Sequence, residues 1–238
     1  MQLYFAVPDT ATTHDGVLVR SFLRQCAVST DLARAVKFRG GGFFADGVPV
    51  LANRRIYPGQ MLSFALPPEG DGVTPQPEIP VNVVYEDAFA VVLEKPPQLA
   101  VHPTLNYPGG TLANGYAAWA AAHGHSPVFR PVNRIDKDTS GLLVVAKDDA
   151  THIGLSQQMA VHSVERAYQT VVYGGFAQDE GFVEANLGRS KTDRKKMAVY
   201  PANEPHTKYA YTGYKVLERL GEFTLLECRL KTGRTHQI

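Results

Sequence analysis

An α+β fold with a mixed, mainly antiparallel sheet and flanking helices is what this sequence predicts, and three observations predict it. Apolar runs of strand length recur along the chain, separated by Gly, Pro, Asn and Asp. Segments with helical spacing lie between some of these runs but not all, whereas a doubly wound parallel sheet would need them throughout. The stretch "PPEGDGVTPQPEIP", residues 67–80, holds five prolines and two glycines, so it cannot continue a helix or a central strand. It reads as a linker between a small α+β domain, residues 1–66, and a larger domain, residues 81–238.

In the small domain, "VLVRSFLRQC" places Leu18, Phe22 and the Leu23/Cys26 pair at helical spacing. In "STDLARAVKFRGGG", Ser29 suits an N-cap, Asp31 the first turn, and Gly40 to Gly42 the helix end. The segment "FFADGVPVLANRRIYPGQMLSFAL" then alternates short apolar runs with the turn signals Asp46-Gly47 and Pro58-Gly59. Two helices followed by a small hairpin-rich sheet are expected.

In the larger domain, "VNVVYEDAFAVVLEKPPQLAVHP" reads as two strands joined by an acidic turn at Glu86-Asp87. "GGTLANGYAAWAAAHG" sets Leu112, Tyr116 and Trp119 on one face of an amphipathic helix. "GLLVVAK" is a strand, and "THIGLSQQMAVHSV" a helix with Leu155 and Met159 inward. "RAYQTVVYG" and "FTLLECRL" are further strands.

The totals exclude several classes. Of 238 residues, 44% are hydrophobic and 20% charged, which suits a folded globular chain. A net charge of +1 makes no global case for a polyanionic partner. Cys26 and Cys228 lie far apart, as two reduced thiols of a cytoplasmic protein would. The N-terminus lacks the basic-then-apolar pattern of a secretory signal, and no uninterrupted apolar run is long enough for a membrane span. Charge is nevertheless uneven. Between positions 14 and 65, seven cations (Arg20, Arg24, Arg34, Lys37, Arg39, Arg54, Arg55) face three aspartates, and five of the seven lie on or at the ends of the two helices. That concentration favours phosphate binding over a merely solvated face. "GRSKTDRKKMAVY" adds Arg189, Lys191, Arg194, Lys195 and Lys196 against Asp193 alone, a flexible basic loop suited to phosphates.

Candidate chemistry narrows quickly. There is no HExxH and no Cys/His cluster with ligand spacing, so no metal is expected. GxGxxG after a strand, GxxxxGK[ST] and GxSxG are also missing, so neither a nucleotide cofactor nor a serine nucleophile is expected. What stands out is "RPVNRIDKDTSGLLVVAK", a dense polar run at the start of an apolar strand. Asp136 and Arg134 share a side if the segment is extended. Arg234 lies in a second polar cluster, "KTGRTHQI". A carboxylate kept ionised by arginine, without a second acid, suits a nucleophile or base more than a general acid.

These segments resemble a known family. "RPVNRIDKDTSGLLVVAK", with "VVYEDAFAVVLEKPPQLAVHP" before it and "RAYQTVVYG" and "LKTGRTHQI" after it, is similar to the RluA-type pseudouridine synthases, which isomerise uridine in ribosomal or transfer RNA. Residues 14–65 resemble the S-four-like RNA-binding domain that often precedes the catalytic domain. The resemblance implies roles. Asp136 matches the catalytic aspartate, and Arg134 the arginine that enters the RNA and displaces the target uridine. Tyr168 matches the tyrosine that stacks on the uracil, and Arg234 the arginine that pairs with the aspartate. It further implies an RNA substrate, ribosomal or transfer RNA with ribosomal RNA favoured, and no cofactor. With such a substrate, the uneven charge makes Arg20, Arg24, Lys37, Arg39, Arg194, Lys195 and Lys196 the RNA-binding residues. A cytoplasmic monomer that touches no membrane is expected. Two departures stand beside this. Asn133 occupies a position that is most often His in the family. The sequence also ends at Ile238 where the family continues with an arginine and further residues that complete the sheet, so a fragment or a shortened protein is expected. A folded but non-catalytic RNA-binding or ribosome-associated module is the alternative; a carboxylate glycosidase is disfavoured by the lack of a second acid.

Overall fold

The computed structural model describes residues 1–9, 16–68, 72–104, 107–193 and 196–238. They form two compact units, Met1–Val161 and His162–Ile238. The fold is α+β, and every strand pairing among the described residues is antiparallel.

The first unit opens with β1 (Gln2–Ala6), β2 (Val17–Leu18), α1 (Val19–Gln25) and α2 (Thr30–Arg39). Leu18, expected in the first helix, is instead the extended N-cap residue that ends β2; α1 buries Val19, Phe22 and Leu23. Ser29 caps α2 as its residue type requires, its hydroxyl accepting from Leu32 N at 3.1 Å. Strands β3 (Phe43–Ala45), β4 (Val48–Val50), β5 (Arg55–Ile56) and β6 (Met61–Ala65) follow. They give a sheet of order β1-β6-β3-β4 and a separate β2-β5 pair. Asp46 and Gly47 both have positive φ, 49° and 79°, which is the two-residue turn that matches strand twist.

The second sheet of this unit has the order β7-β8-β10-β9, from β7 (Asn82–Glu86), β8 (Ala90–Lys95), β9 (Arg130–Pro131) and β10 (Gly141–Ala146). Asp87 shapes the β7–β8 turn by accepting from Phe89 N and Ala90 N. The helix α3 (Leu112–Ala122) differs from its expected one-sided amphipathicity, because every residue from Leu112 to Ala117 is buried. The reason is the proline-rich segment. Its described part forms neither helix nor strand and turns at Pro77 and Glu78, where Ile79 N donates to Gln76 O, but it lies against α3: Asn114 Nδ2 donates to Thr74 O, and Gln76 N to Asn114 O. Gly115 permits this approach, since a Cβ there would sit 2.8 Å from Ile79 O. Helix α4 (Asp149–Ala160) buries Ile153 rather than Leu155 and Met159, which are half-buried. Ile153 joins the core made by Val19, Phe22, Leu32 and Phe64, and Gln157 Nε2 donates to Cys26 O, so α4 is tied to the N-terminal layer.

The second unit is one five-stranded sheet of order β11-β15-β14-β12-β13. Its strands are β11 (Ala167–Tyr173), β12 (Glu180–Arg189), β13 (Met197–Tyr200), β14 (Lys208–Leu220) and β15 (Phe223–Leu230). β12, β13 and β14 were not anticipated, since their polar and charged residues obscure the alternation. The 13-residue β14 carries a bulge at Val216/Glu218. Thr224, Leu226 and Cys228 are buried on one face of β15, while Tyr173, Phe182 and Val199 are exposed.

Candidate active site

The Asp136 segment is the loop of a hairpin. β9 and β10 pair antiparallel, Val145 opposite Pro131 and Ala146 opposite Arg130, and residues 132–140 join them. Ile135 is buried, Arg134 exposed and Asp136 half-buried, the alternation expected of an extended stretch. A β-turn then follows, closed by Thr139 N donating to Asp136 O at 3.2 Å. Arg134 and Asp136 are thus set on the side away from the core, as their spacing predicts.

Two residues that sequence reasoning did not assign hold this loop. Asn133 extends the ladder with its side chain: Nδ2 donates to Leu142 O at 3.1 Å, and Oδ1 accepts from Val144 N at 2.8 Å. It stands in for one residue's worth of backbone pairing just where the chain leaves β9. The departure noted at this position therefore has a use, because a carboxamide supplies both donor and acceptor.

The other is Lys95, at the end of β8 and opposite Gly141 in the register with β10. It is fully buried. Its Nζ donates to Pro96 O at 2.8 Å and to Lys137 O at 2.9 Å, so a buried ammonium bonds the centre of the Asp136-Lys137-Asp138 turn. Burial lowers the Lys95 pKa, and the charges of Asp138 and Asp136 act to raise it. A fully buried lysine closing a strand is rare enough to mark a purpose. The sequence signal was available: Lys95 ends "VVLEK" at an alternation position otherwise filled by Val91 and Leu93, both buried.

Tyr168 and Arg234 belong to the second unit. Tyr168 lies on β11 opposite Cys228, on the face where Leu226 and Thr224 are buried. Arg234 lies in the turn after β15. Its Nε donates to Tyr209 O at 2.9 Å. Gln237 organises this turn: its Oε1 accepts from Thr232 Oγ1 (2.9 Å) and Arg234 N (2.8 Å). Its Nε2 donates to Tyr211 O and to Thr212 Oγ1, both at 3.0 Å. The motif Thr-Gly-Arg-Thr-His-Gln is thus a turn whose last residue ties its first to β14.

Of the expected cationic residues, Arg20, Arg24 and Lys37 line one cleft between α1 and α2, and Arg39 stands at the end of α2. Arg20 and Arg24 are exposed on α1, and Lys37 and Arg39 on α2. The described ends of the basic segment are held by strands, since Arg189 ends β12 and Met197–Tyr200 forms β13. There Lys191 Nζ pairs with Glu204 at 2.6 Å, and Lys196 lies 4.0 Å from Asp193. Arg194 and Lys195 lie outside the described residues.

A small α+β protein that presents Asp136 on a core-braced hairpin, with Arg134 beside it, is the class this geometry defines. The family model for RNA pseudouridylate synthase matches residues 90–238. An RNA pseudouridine synthase of Bacillus subtilis is 42% identical over 204 residues, covering 84% of this chain and 66% of that protein. Ribosomal large subunit pseudouridine synthase D of Zymomonas mobilis is 44% identical over 165 residues, covering 68% and 51%. A human protein titled RNA pseudouridylate synthase domain containing 1 shares the fold, with TM-score 0.55 at 22% identity, covering 69% of this chain and 65% of that one. The chain belongs to the RNA pseudouridylate synthase family. It spans about half to two-thirds of the length of these curated relatives. The family match begins at residue 90, so it does not extend to the N-terminal layer.

Proposed function

We propose that this chain carries the site of an RNA pseudouridine synthase acting on uridines of ribosomal RNA, in which Asp136 is the catalytic residue. The observation that carries the reading is the Asp136 turn itself: a carboxylate beside Arg134, braced from below by the buried Lys95 ammonium and at its base by Asn133. A group that must meet a sugar carbon in one orientation gains from such bracing.

The reaction breaks the bond between N1 of uracil and C1′ of ribose, turns the freed base, and joins C5 to C1′. The hydrogen on C5 leaves as a proton and N1 takes one up, so atoms and electrons balance without oxidant or reductant. The Asp136 carboxylate either adds to C1′ or takes a proton from the sugar. The uridine must leave the stack first, at a cost of a few kcal/mol. In this reading Arg134, exposed beside the carboxylate, enters the RNA, and the Tyr168 ring stacks on the extruded base, worth roughly 1–3 kcal/mol. Arg234 matches the arginine that partners the catalytic aspartate in the family this chain resembles, and here its Nε donates to Tyr209 O. Residues 1–66 form an S-four-like RNA-binding domain whose cations meet phosphates. The ribosomal assignment follows the name of the Zymomonas mobilis relative.

The test is tritium release from RNA labelled at C5 of uridine. The expected result is release by the wild type and only background from Asp136→Asn, with RNA affinity unchanged. Release that survives Asp136→Asn overturns the assignment. No release from the wild type, with binding intact, favours a non-catalytic RNA-binding module.

A further inference from the structure

Helices α1 and α2 enclose a cleft of about 270 Å³ that phosphate binding alone does not explain. Its floor is apolar: Leu23, Val28 and Phe43, all nearly inaccessible to solvent. Its rim is cationic, with Arg20 and Arg24 from α1 and Arg34 and Lys37 from α2. Arg34 is engaged weakly by Asp31, at 3.4 Å with both side chains exposed. Spacing produces this arrangement. Arg20, Leu23 and Arg24 fall at i, i+3 and i+4 on α1, and Thr30, Ala33, Arg34 and Lys37 at i, i+3, i+4 and i+7 on α2, so each helix sets an apolar side chain (Leu23, Ala33) beside cations. At one end stands Phe38, 71% exposed, with Lys37 Nζ 4.8 Å from its ring centroid. An exposed phenylalanine next to an apolar hollow ringed by positive charge is poorly suited to duplex backbone, which offers phosphates but no free base face. It suits one unpaired nucleotide, whose base has an apolar face and whose flanking phosphates are anionic.

We propose that this cleft binds a single unpaired nucleotide of the RNA, its base stacked on Phe38 over the Leu23/Val28 floor and its phosphates held by the rim cations. The N-terminal layer is then a reader of bulges or junctions rather than a general polyanion clamp. The proposal rests on the RNA reading of residues 1–66 and narrows it. Charge complementarity commits the occupant to nucleic acid, and the apolar floor commits it to an unpaired base.

The experiment uses the 238-residue chain and two RNA hairpins, one carrying a single bulged 2-aminopurine and the other the same residue base-paired. The bulged hairpin should bind about tenfold more tightly, with a change in 2-aminopurine fluorescence on binding. Phe38→Ala should remove that preference, a loss of about tenfold or more, while Phe38→Trp keeps it. Ala33→Leu, which narrows the cleft with every charge in place, should match Phe38→Ala. Arg24→Ala should weaken both hairpins and reduce the salt dependence by about one ion, whereas Phe38→Ala leaves the salt slope unchanged. Equal binding of the two hairpins by the wild type, or indifference to both Phe38→Ala and Ala33→Leu, overturns the nucleotide cleft and leaves RNA binding standing. Failure of the wild type to bind either hairpin overturns the RNA reading itself, and the cleft with it.

Discussion

The Asp136 turn and the Arg234 turn are both short polar loops at strand ends, yet they are held by opposite means. The first is braced from the core by a buried charge, the Lys95 ammonium beneath Lys137 O. The second is held at a half-exposed surface by a neutral amide, Gln237, and by one backbone carbonyl, Tyr209 O. A buried charge cannot be removed locally, because its carbonyl partners are left in a dry site. A surface amide can be removed at small cost to the fold. Position at Asp136 should therefore be coupled to global stability, and position at Arg234 should not.

The largest test of that contrast is Lys95→Met, which keeps side-chain volume but leaves Pro96 O and Lys137 O without a donor. Destabilisation of about 1–3 kcal/mol is expected, read as a lower urea midpoint at unchanged slope. Tritium release should fall at temperatures where the variant is still folded. A variant as stable and active as the wild type would remove Lys95 from the account of the site.

Asn133→Ala comes next. It deletes two hydrogen bonds at the base of the hairpin, at about 1 kcal/mol each. Asn133→His is the informative companion. If imidazole can bridge Leu142 O and Val144 N, stability and turnover return; if only the carboxamide fits, the variant behaves like Asn133→Ala.

On the other side, Gln237→Ala should lower the stability read from the urea midpoint by no more than about 1 kcal/mol, because the turn is half-exposed and water can replace the lost bonds. Its effect should appear instead in turnover and in the pH profile of tritium release, through a loosened Arg234. A large loss of stability there, comparable to that of Lys95→Met, would erase the distinction between the two turns.

How much of this was legible in the sequence follows the same division. The Asp136 loop was readable because alternation across Arg134, Ile135 and Asp136 is local, and so were the Ser29 cap and the Asp46-Gly47 turn. The matched segments of the larger domain led to the family. Lys95 was missed because its significance lies in a carbonyl some forty residues further along, brought near only by the Lys95–Gly141 register. The burial of α3 was missed for a related reason. Leu112, Tyr116 and Trp119 mark one face, but the opposite face is covered by the proline-rich segment, which composition alone presents as a linker. The long strand β14 escaped because "KYAYTGYKVLERL" puts charge on its exposed face and a bulge in mid-strand, which breaks the period-two signal.

The smallest expected effect concerns pH, and it sharpens the same contrast. Burial holds the Lys95 pKa below its ordinary 10.5, against the opposing pull of Asp138 and Asp136. Between the folded value and 10.5 the unfolded chain binds more protons than the folded one, so stability rises with pH across that window. The contribution is fully present above 10.5 and is lost as pH falls through the folded value. The stability difference between wild type and Lys95→Met isolates it, because other alkaline titrations cancel. That difference should be flat near neutrality and then shift in favour of the wild type as pH approaches 10.5. Asp138→Asn removes the larger of the two carboxylate attractions on the ammonium, so in that background the rise should begin at lower pH. A difference that stays flat throughout, or that moves against the wild type, would mean that Lys95 bonds the turn without being strained by its burial.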